Sequence, residues 1–485
     1  MTLAIRHTLH GVLALGVLVV LGWVIARGQW VALGGLMAAP IALFYLMVLM
    51  RQPIVGVYSL ILISFFIGGI NRYVPGAFGL LIDGLLVLTL LAEFFKRFHA
   101  SSWPYLAGNR LLWFVYAWVG YCVFELINPE ARSWEAWFYA GRGITFYVLV
   151  LLWLGLEIFN QPRHLERLLK IWLGISVAGA VVAIKQIHFF LDPFEEAWLS
   201  EEAARTTHIV QGQLRAFSFY SDAGQFGAAM GHAGLVSLIL ALGPFSRKQR
   251  WFYGISAALC LYGLALSGTR GALFVPVAGL AMYLLLVRSF PMIIVGGLVA
   301  GLFLGMLKFT YIGQGNYQIQ RMRSALDPQD ASLQLRLENQ AKLREYLKTR
   351  PFGGGIGTAG YWGKRFSPNS FLANLGIDSW YVKIAAETGI VGLTLHLLMI
   401  GSWLVVFFRR LWLMPPGPKQ TKLQALYAGL FGIAVASYGN QILGQMPTGV
   451  IIYFSVTFLY VLTHSPNETA ISLQPAAPDG THHRR

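Results

Sequence analysis

Long apolar stretches separated by short polar or basic connections dominate this chain. Val12 to Ile25, Ile54 to Ile70 and Met292 to Leu307 contain no charged residue. Runs of roughly 17 to 25 mainly apolar residues can cross a bilayer, and they do so as helices because lipid offers the backbone no hydrogen-bond partner. The pattern predicts an all-α polytopic membrane protein with about 12 to 14 transmembrane helices. The expected spans lie near residues 10–28, 31–50, 54–70, 78–95, 110–127, 137–157, 169–190, 224–243, 251–267, 271–287, 291–307, 386–408, 425–443 and 447–463.

Two connections are long, from about His188 to Asp222 and from Lys308 to about Ala385. The second is expected to be partly helical. Asp330 or Ser332 can cap a helix start, and Leu333, Leu337 and Ala341 recur at helical spacing. Pro351 then stops that helix, and Gly353, Gly354, Gly355, Gly357 and Gly360 predict tight turns. Long connections with their own secondary structure are usually functional.

Charge sets the orientation. With the N-terminus in the cytoplasm, the inside connections hold Arg51, then Lys96, Arg97 and Arg110, then Arg163, Arg167 and Lys170. Further on they hold Arg247, Lys248 and Arg250, then Arg288, then Arg409, Arg410, Lys419 and Lys422, and finally Arg484 and Arg485. The short outside connections hold only Arg27, Arg72 and Arg132. Basic residues gather on the cytoplasmic side, so both termini are expected there and both long connections outside.

Composition agrees. Of 485 residues, 56% are hydrophobic and 12% charged, against about a quarter charged in a soluble domain. The net charge of +16 reads as positive-inside bias, not as a nucleic-acid surface. Cys122 and Cys260 lie in apolar segments with no partner at ligand spacing, so neither a disulfide framework nor a metal site is expected. Arg6, His7 and the apolar stretch after them lack a small-residue cleavage site and read as a retained first helix.

Three arginines stand out because ionisable groups at the membrane boundary mark function by default. Arg270 sits in Ser-Gly-Thr-Arg-Gly-Ala at the junction of two spans, Arg142 in Tyr-Ala-Gly-Arg-Gly, and Arg215 just before a span. The alternative is an arginine that snorkels to the interface. A planar guanidinium suits phosphate oxygens, so several outward arginines fit an anionic lipid headgroup, a diphosphate above all. Asp378 precedes a span and can be read as a proton acceptor or as a helix cap. Glu387 would pair with an arginine or orient the helix.

Other signals carry less. Gly355 to Gly360 fits G-x-G-x-x-G without a strand–helix context, and Gly363-Lys364 lacks the rest of a nucleotide P-loop. His188, His208 and His232 are scattered, Asp83 and Glu125 read as paired helix-packing groups, and Asn467-Glu468-Thr469 is a sequon on the expected cytoplasmic tail.

Taken in order, the motifs resemble the O-antigen ligase and polymerase superfamily. They are Arg215-x-x-Ser218-Phe219 with Ala223-Gly224-Gln225-Phe226, then Ser267-Gly268-Thr269-Arg270-Gly271-Ala272, then Arg336. Pro351 to Gly357 follows, then Asp378-Ser379-Trp380-Tyr381 with Glu387 to Gly392. The resemblance covers roughly Arg215 to Leu393. It implies four regions: N-terminal transmembrane helices over 1–214, a ligase-like core over 215–393 including the outer loop 308–385, C-terminal helices over 394–463, and a disordered cytoplasmic tail over 464–485.

The resemblance implies a glycosyltransferase of the bacterial inner membrane, working on the periplasmic face without cofactor or metal. The donor is a glycan on a polyprenyl diphosphate, and the acceptor is another glycan. Other polysaccharide-assembly proteins are possible partners, and nucleic acid is not. Arg215 and Arg270 carry over as diphosphate ligands, Arg336 as a loop arginine beside them, and Arg142 joins them by position. Ligases usually carry His-Asn where this chain has Asp378-Ser379, and the family's asparagine in the first motif is Gln225 here. Aspartate is the weaker base at its ordinary pKa. The departure favours a polymerase over a ligase that transfers to lipid A core. A transporter or flippase of lipid-linked glycans is the remaining alternative; it predicts repeat symmetry and charge at the bilayer midplane, where this chain places its reactive groups at one face.

Overall fold

A computed structural model describes residues 30–74, 76, 78–99, 109–131 and 133–463. The expected first span at 10–28, Arg27, Arg132 and the tail from 464 lie outside them. The first half contains α1 (Trp30–Arg51), α2 (Pro53–Tyr73), α3 (Gly79–His99), α4 (Arg110–Phe124), α5 (Trp134–Gly141), α6 (Tyr147–Ile158) and α7 (Pro162–His188). A π-helical turn, Arg142–Phe146, joins α5 to α6. The first long connection folds as α8 (Pro193–Ser200), α9 (Glu202–His208) and a two-stranded antiparallel ribbon, β1 (Ile209–Val210) with β2 (Gln213–Leu214).

The second half contains α10 (Ala223–Leu242), α11 (Arg247–Leu266), α12 (Phe274–Val287) and α13 (Phe290–Phe309). The second long connection follows with α14 (Tyr317–Ser324), α15 (Ala331–Leu347), α16 (Gly360–Phe366) and α17 (Phe371–Asn374). The chain ends in α18 (Trp380–Leu413), α19 (Pro418–Ala436) and α20 (Thr448–Thr463). The protein is an all-α polytopic membrane protein.

Each expected span on described residues is a helix, and among the described residues eight helices are long and apolar enough to cross a membrane. The others miss on length or charge. Gly79–His99 carries Asp83, Glu93, Lys96 and Arg97, Arg247–Leu266 opens on a basic turn, and Thr448–Thr463 has only 16 residues. One boundary moves: the span expected at 425–443 is a helix over Pro418–Ala436, and residues 437–447 run irregularly. Gly439, Gly444 and Pro447 disfavour a helix there.

Polar caps set the helix starts. Asn109, Ser133, Asp222 and Ser246 each accept a backbone N–H of the helix that follows them. Proline opens α2, α7 and α19, where its missing N–H costs nothing.

The core is built around α10, which packs against α11, α19, α12 and α7. In its most apolar stretch 83% of the residues are buried. Small side chains allow this approach. At Gly227 a Cβ would overlap Ser267 Oγ, so glycine lets the turn after α11 lie directly on α10. The opposite extreme is α13, buried over only 6% of its apolar stretch, which packs on α12 and leads toward α14. The long connections meet at one end of the bundle. Arg72, at the end of α2, donates there to the carbonyls of Ser218 and Tyr220.

Candidate active site

The site begins with the turn that ends α11. Ser267 Oγ donates back to Leu264 O (2.7 Å), Gly268 adopts φ +56°, and Thr269 Oγ1 donates to Ala223 O (2.8 Å). A 3-10 turn over Arg270–Leu273 then leads into α12. The turn is thereby tied to the first residue of α10, and its buried carbonyls become acceptors for side chains.

Arg215 takes one of them. Its Nε donates to Ser267 O (3.1 Å), Nη1 to Thr207 O (2.8 Å) and Nη2 to Thr269 Oγ1 (2.9 Å). The ribbon before it is registered by Arg215 N donating to His208 O (2.8 Å). His208 is a structural histidine. Nδ1 donates to Ala204 O (2.8 Å) and Nε2 accepts from Ala223 N (3.2 Å), so the buried ring clips α9 to the start of α10. Burial lowers the Arg215 pKa from its ordinary value, and the charges of Arg321 and Arg270 add to that effect.

Arg270 points the other way, toward the second long connection. Its Nη1 donates to Ser324 Oγ (3.2 Å) and forms an ion pair with Asp330 Oδ2. Asp330 also caps α15, its Oδ1 accepting from Leu333 N (3.1 Å). Burial pushes the Asp330 carboxyl up, but the Arg270 bond and the amides of Leu333 and Ser332 outweigh it, and the net direction is down. Beside Arg270 lies a shallow cleft, open to solvent, lined by Leu264, Ala265, Gly268, Thr269, Leu273 and Met322. Its polar rim and apolar wall suit a charged headgroup with a hydrocarbon tail.

A second cleft, ≈ 260 Å³ and open to solvent, holds Asp378. Arg336 on α15 donates from Nε to Asp378 Oδ2 (3.2 Å). Asn339 donates to Gly376 O (3.1 Å), and Gln441, from the irregular stretch after α19, donates to Ile377 O (2.6 Å). Asp378 does not cap α18: Ser379 does, accepting from Val382 N (3.4 Å). The Asp378 carboxylate is thus relieved of the capping role that the sequence left open, and it stays 61% exposed.

The structure groups some of the expected residues and separates others. Arg215 and Arg270 share one turn, and Arg270 and Arg336 are linked through α15, which Asp330 starts and Arg336 continues. Arg142 is engaged elsewhere. It pairs with Asp83 of α3, and its Nε donates to Tyr139 O (3.3 Å). Glu387 meets no arginine. Its buried carboxylate accepts from Ala359 N (3.3 Å), while Gly354 N and Gly355 N donate to the carbonyls of Ala386 and Glu387 (both 2.9 Å). Within this G-x-G-x-x-G the amides of Gly355 and Ala359 are therefore taken up by α18.

Sequence reasoning missed Arg321, whose Nε donates to Gly268 O (3.4 Å) in the same turn. Asn316, the cap of α14, was a legible sign of a helix, but nothing in the sequence told which of its arginines faces the site. It also missed the stretch after α19, read as membrane span, from which Tyr438 donates to Gln340 (3.2 Å) at the Asp378 cleft.

Residues 255–397 match the O-antigen ligase family. The match takes in Arg270, Arg321, Arg336, Asp378 and Glu387, and leaves out Arg142 and Arg215. An O-antigen polymerase of Salmonella muenchen is 26% identical over 266 residues, which are 53% of this chain and 63% of that protein. The chain is thus similar to the O-antigen ligase family over its central part, and it spans less than two thirds of the length of the O-antigen polymerase that it matches.

Proposed function

We propose that the protein is a membrane glycosyltransferase that takes a glycan from a polyprenyl-diphosphate carrier and adds it to another carrier-linked glycan on the outer face of the cytoplasmic membrane. One observation carries the reading: an arginine cleft with an apolar wall lies one helix away from an exposed carboxylate that is held by an arginine. Arg270 and Arg215 engage the diphosphate, whose leaving charge their guanidinium groups stabilise as the glycosidic bond breaks. Asp378 accepts the proton of the acceptor hydroxyl while that oxygen attacks the anomeric carbon. Arg336 positions Asp378. No step calls for a metal ion.

Polymerisation is favoured because the similar Salmonella protein is named a polymerase and because aspartate stands where ligases usually carry histidine. Transfer to lipid A core is the second reading, supported by the matched family's description as O-antigen ligase. The test is reconstitution of the whole chain in liposomes with a defined polyprenyl-diphosphate oligosaccharide. Longer carrier-linked glycans support polymerisation, and product on added lipid A core supports the ligase. Movement of the lipid between leaflets without transfer would overturn both. Arg270→Ala is expected to lower transfer on the order of 100-fold or more while the protein still inserts and folds.

A further inference from the structure

Two guanidinium groups take successive carbonyls of the Ser267–Thr269 turn. Arg215 reaches Ser267 O from the ribbon side, and Arg321 reaches Gly268 O from α14. Between them stands Tyr317, whose ring lies against Gly268 and whose buried hydroxyl has no hydrogen-bond partner. Arg270 follows two residues after Gly268, so three arginines from three elements converge on one turn.

Their charges are not balanced within the protein. Arg270 has Asp330 in ion-pair contact, but among the described residues no carboxylate lies within ion-pair distance of Arg215 or Arg321. Asp222, which caps α10, acts on Arg215 from a longer distance, so three positive groups face two negative ones and the turn keeps a positive surplus. Bringing like charges together in a half-buried place is unfavourable unless an anion joins them. Burial lowers the Arg321 pKa, and the charge of Arg270 lowers it further. The local field therefore favours an added negative charge.

We propose that Arg321 is a third anion-binding residue of the Arg215–Arg270 cleft, and that the completed group favours a diphosphate diester over a monophosphate diester. Such a diester carries one negative charge on each of two phosphoryl groups, so it can engage more of the three guanidinium groups than a single phosphoryl can. The Nε bond of Arg321 to Gly268 O is long, so the side chain can turn its Nη atoms to a ligand at little cost. Arg323, two positions on, serves a different end: its Nη2 donates to Ile312 O (2.9 Å) within the same connection. The inference rests on the diphosphate reading of the cleft and adds to it a residue and a charge rule.

The test measures binding of a polyprenyl-diphosphate sugar and a polyprenyl-monophosphate sugar of equal chain length, both diesters, to the full chain in nanodiscs. The intact protein should prefer the diphosphate. Arg321→Gln should weaken diphosphate binding about 10-fold or more and leave the monophosphate nearly unchanged, so the preference shrinks. Arg321→Lys, which keeps the charge but loses the planar fork, should fall between the two and serves if the glutamine variant does not fold. Arg323→Gln should behave as the intact protein. If Arg321→Gln and Arg321→Lys keep the full preference while Arg270→Gln loses it, Arg321 is not part of the site and the diphosphate reading stands. If Arg323→Gln loses as much as Arg321→Gln, the effect is diffuse charge and the assignment is wrong. If the intact protein shows no preference for the diphosphate, the reading of the cleft fails first.

Discussion

The second long connection is held to the bundle in two different ways. From Thr310 to Lys342 no residue is buried, and from Gly353 to Ala359 every residue is. The first part, with α14 and most of α15, is attached by charge and hydrogen bonds: Arg270 to Asp330, Arg336 to Asp378, Arg321 to Gly268 and Asn339 to Gly376. The second is attached by backbone and shape. Gly353 and Gly389 approach so closely that a Cβ on either would overlap the other's backbone, and Leu343, Leu372 and Leu375 form a small core beneath. An anionic ligand offers arginines the same kind of partner that Asp330 and Asp378 offer, so it can compete with the first attachment. It has nothing to offer the second. The polar part is where the chemistry can be, and the apolar part is what holds it in place.

The sharpest way to break that division is at the apolar part. Gly389 adopts φ 67° and ψ −171°, a region for glycine alone, and an added Cβ would overlap Pro351 O. Gly389→Ala should cost on the order of 3 kcal/mol or more. Thermal unfolding in detergent should show a large fall in midpoint, whereas the intact midpoint would show that the turn is not the anchor. At the polar part, Asp378→Asn should lower transfer on the order of 100-fold or more with the unfolding midpoint unchanged, because Ser379 keeps the cap. A variant that loses stability but not rate would make Asp378 structural.

Asp330→Asn comes next. Asparagine caps a helix about as well as aspartate, so the change removes the ion pair and keeps α15. The pair is only partly buried, at 19% and 18% exposure, and its loss should cost about 1 kcal/mol or less. Limited proteolysis should then cut between Thr310 and Lys342 faster, with the Gly353–Ala359 region still protected. Acidification gives the smallest effect. A carboxyl whose folded pKa is depressed contributes stability above its unfolded pKa, about 3.9 for aspartate, and loses it as pH falls through the lower folded value. Asp330 is such a group. Cleavage of the polar part should be flat from about pH 5 to 8 and rise only below about pH 4, and Asp330→Asn should remove that rise.

The two parts were also unequally legible in the sequence. Helices could be read because lipid forces long apolar runs, and the cap at Asp330 could be read because a short acidic side chain before Leu333 and Leu337 has few other uses. The glycine run announced tight turns. It did not announce that the amides would be bound by Ala386 and Glu387, since that follows from how α18 lies under the turn. Arg142 shows the same limit: its partner Asp83 is 59 residues away on another helix, and no local pattern foretells that pairing. Arg321 was hidden among the arginines of a polar stretch, where sequence gives charge but not facing. Residues 437–443 were read as the end of a membrane span, although Ile442 and Leu443 are buried in the protein by an irregular stretch instead.

One helix ties the site to its surroundings. Phe290–Phe309 has 20 residues, a length of about 30 Å at the usual helical rise, which is the thickness of a bilayer's hydrocarbon layer. Its neighbours cover little of it, so packing resists a change of tilt only weakly when bilayer thickness differs from its length. The next helix in the chain carries Tyr317 and Arg321. Reconstitution in lipids of graded acyl length should therefore shift anion binding at the arginine cleft, and binding that stays constant across acyl lengths would show that this helix does not couple the two.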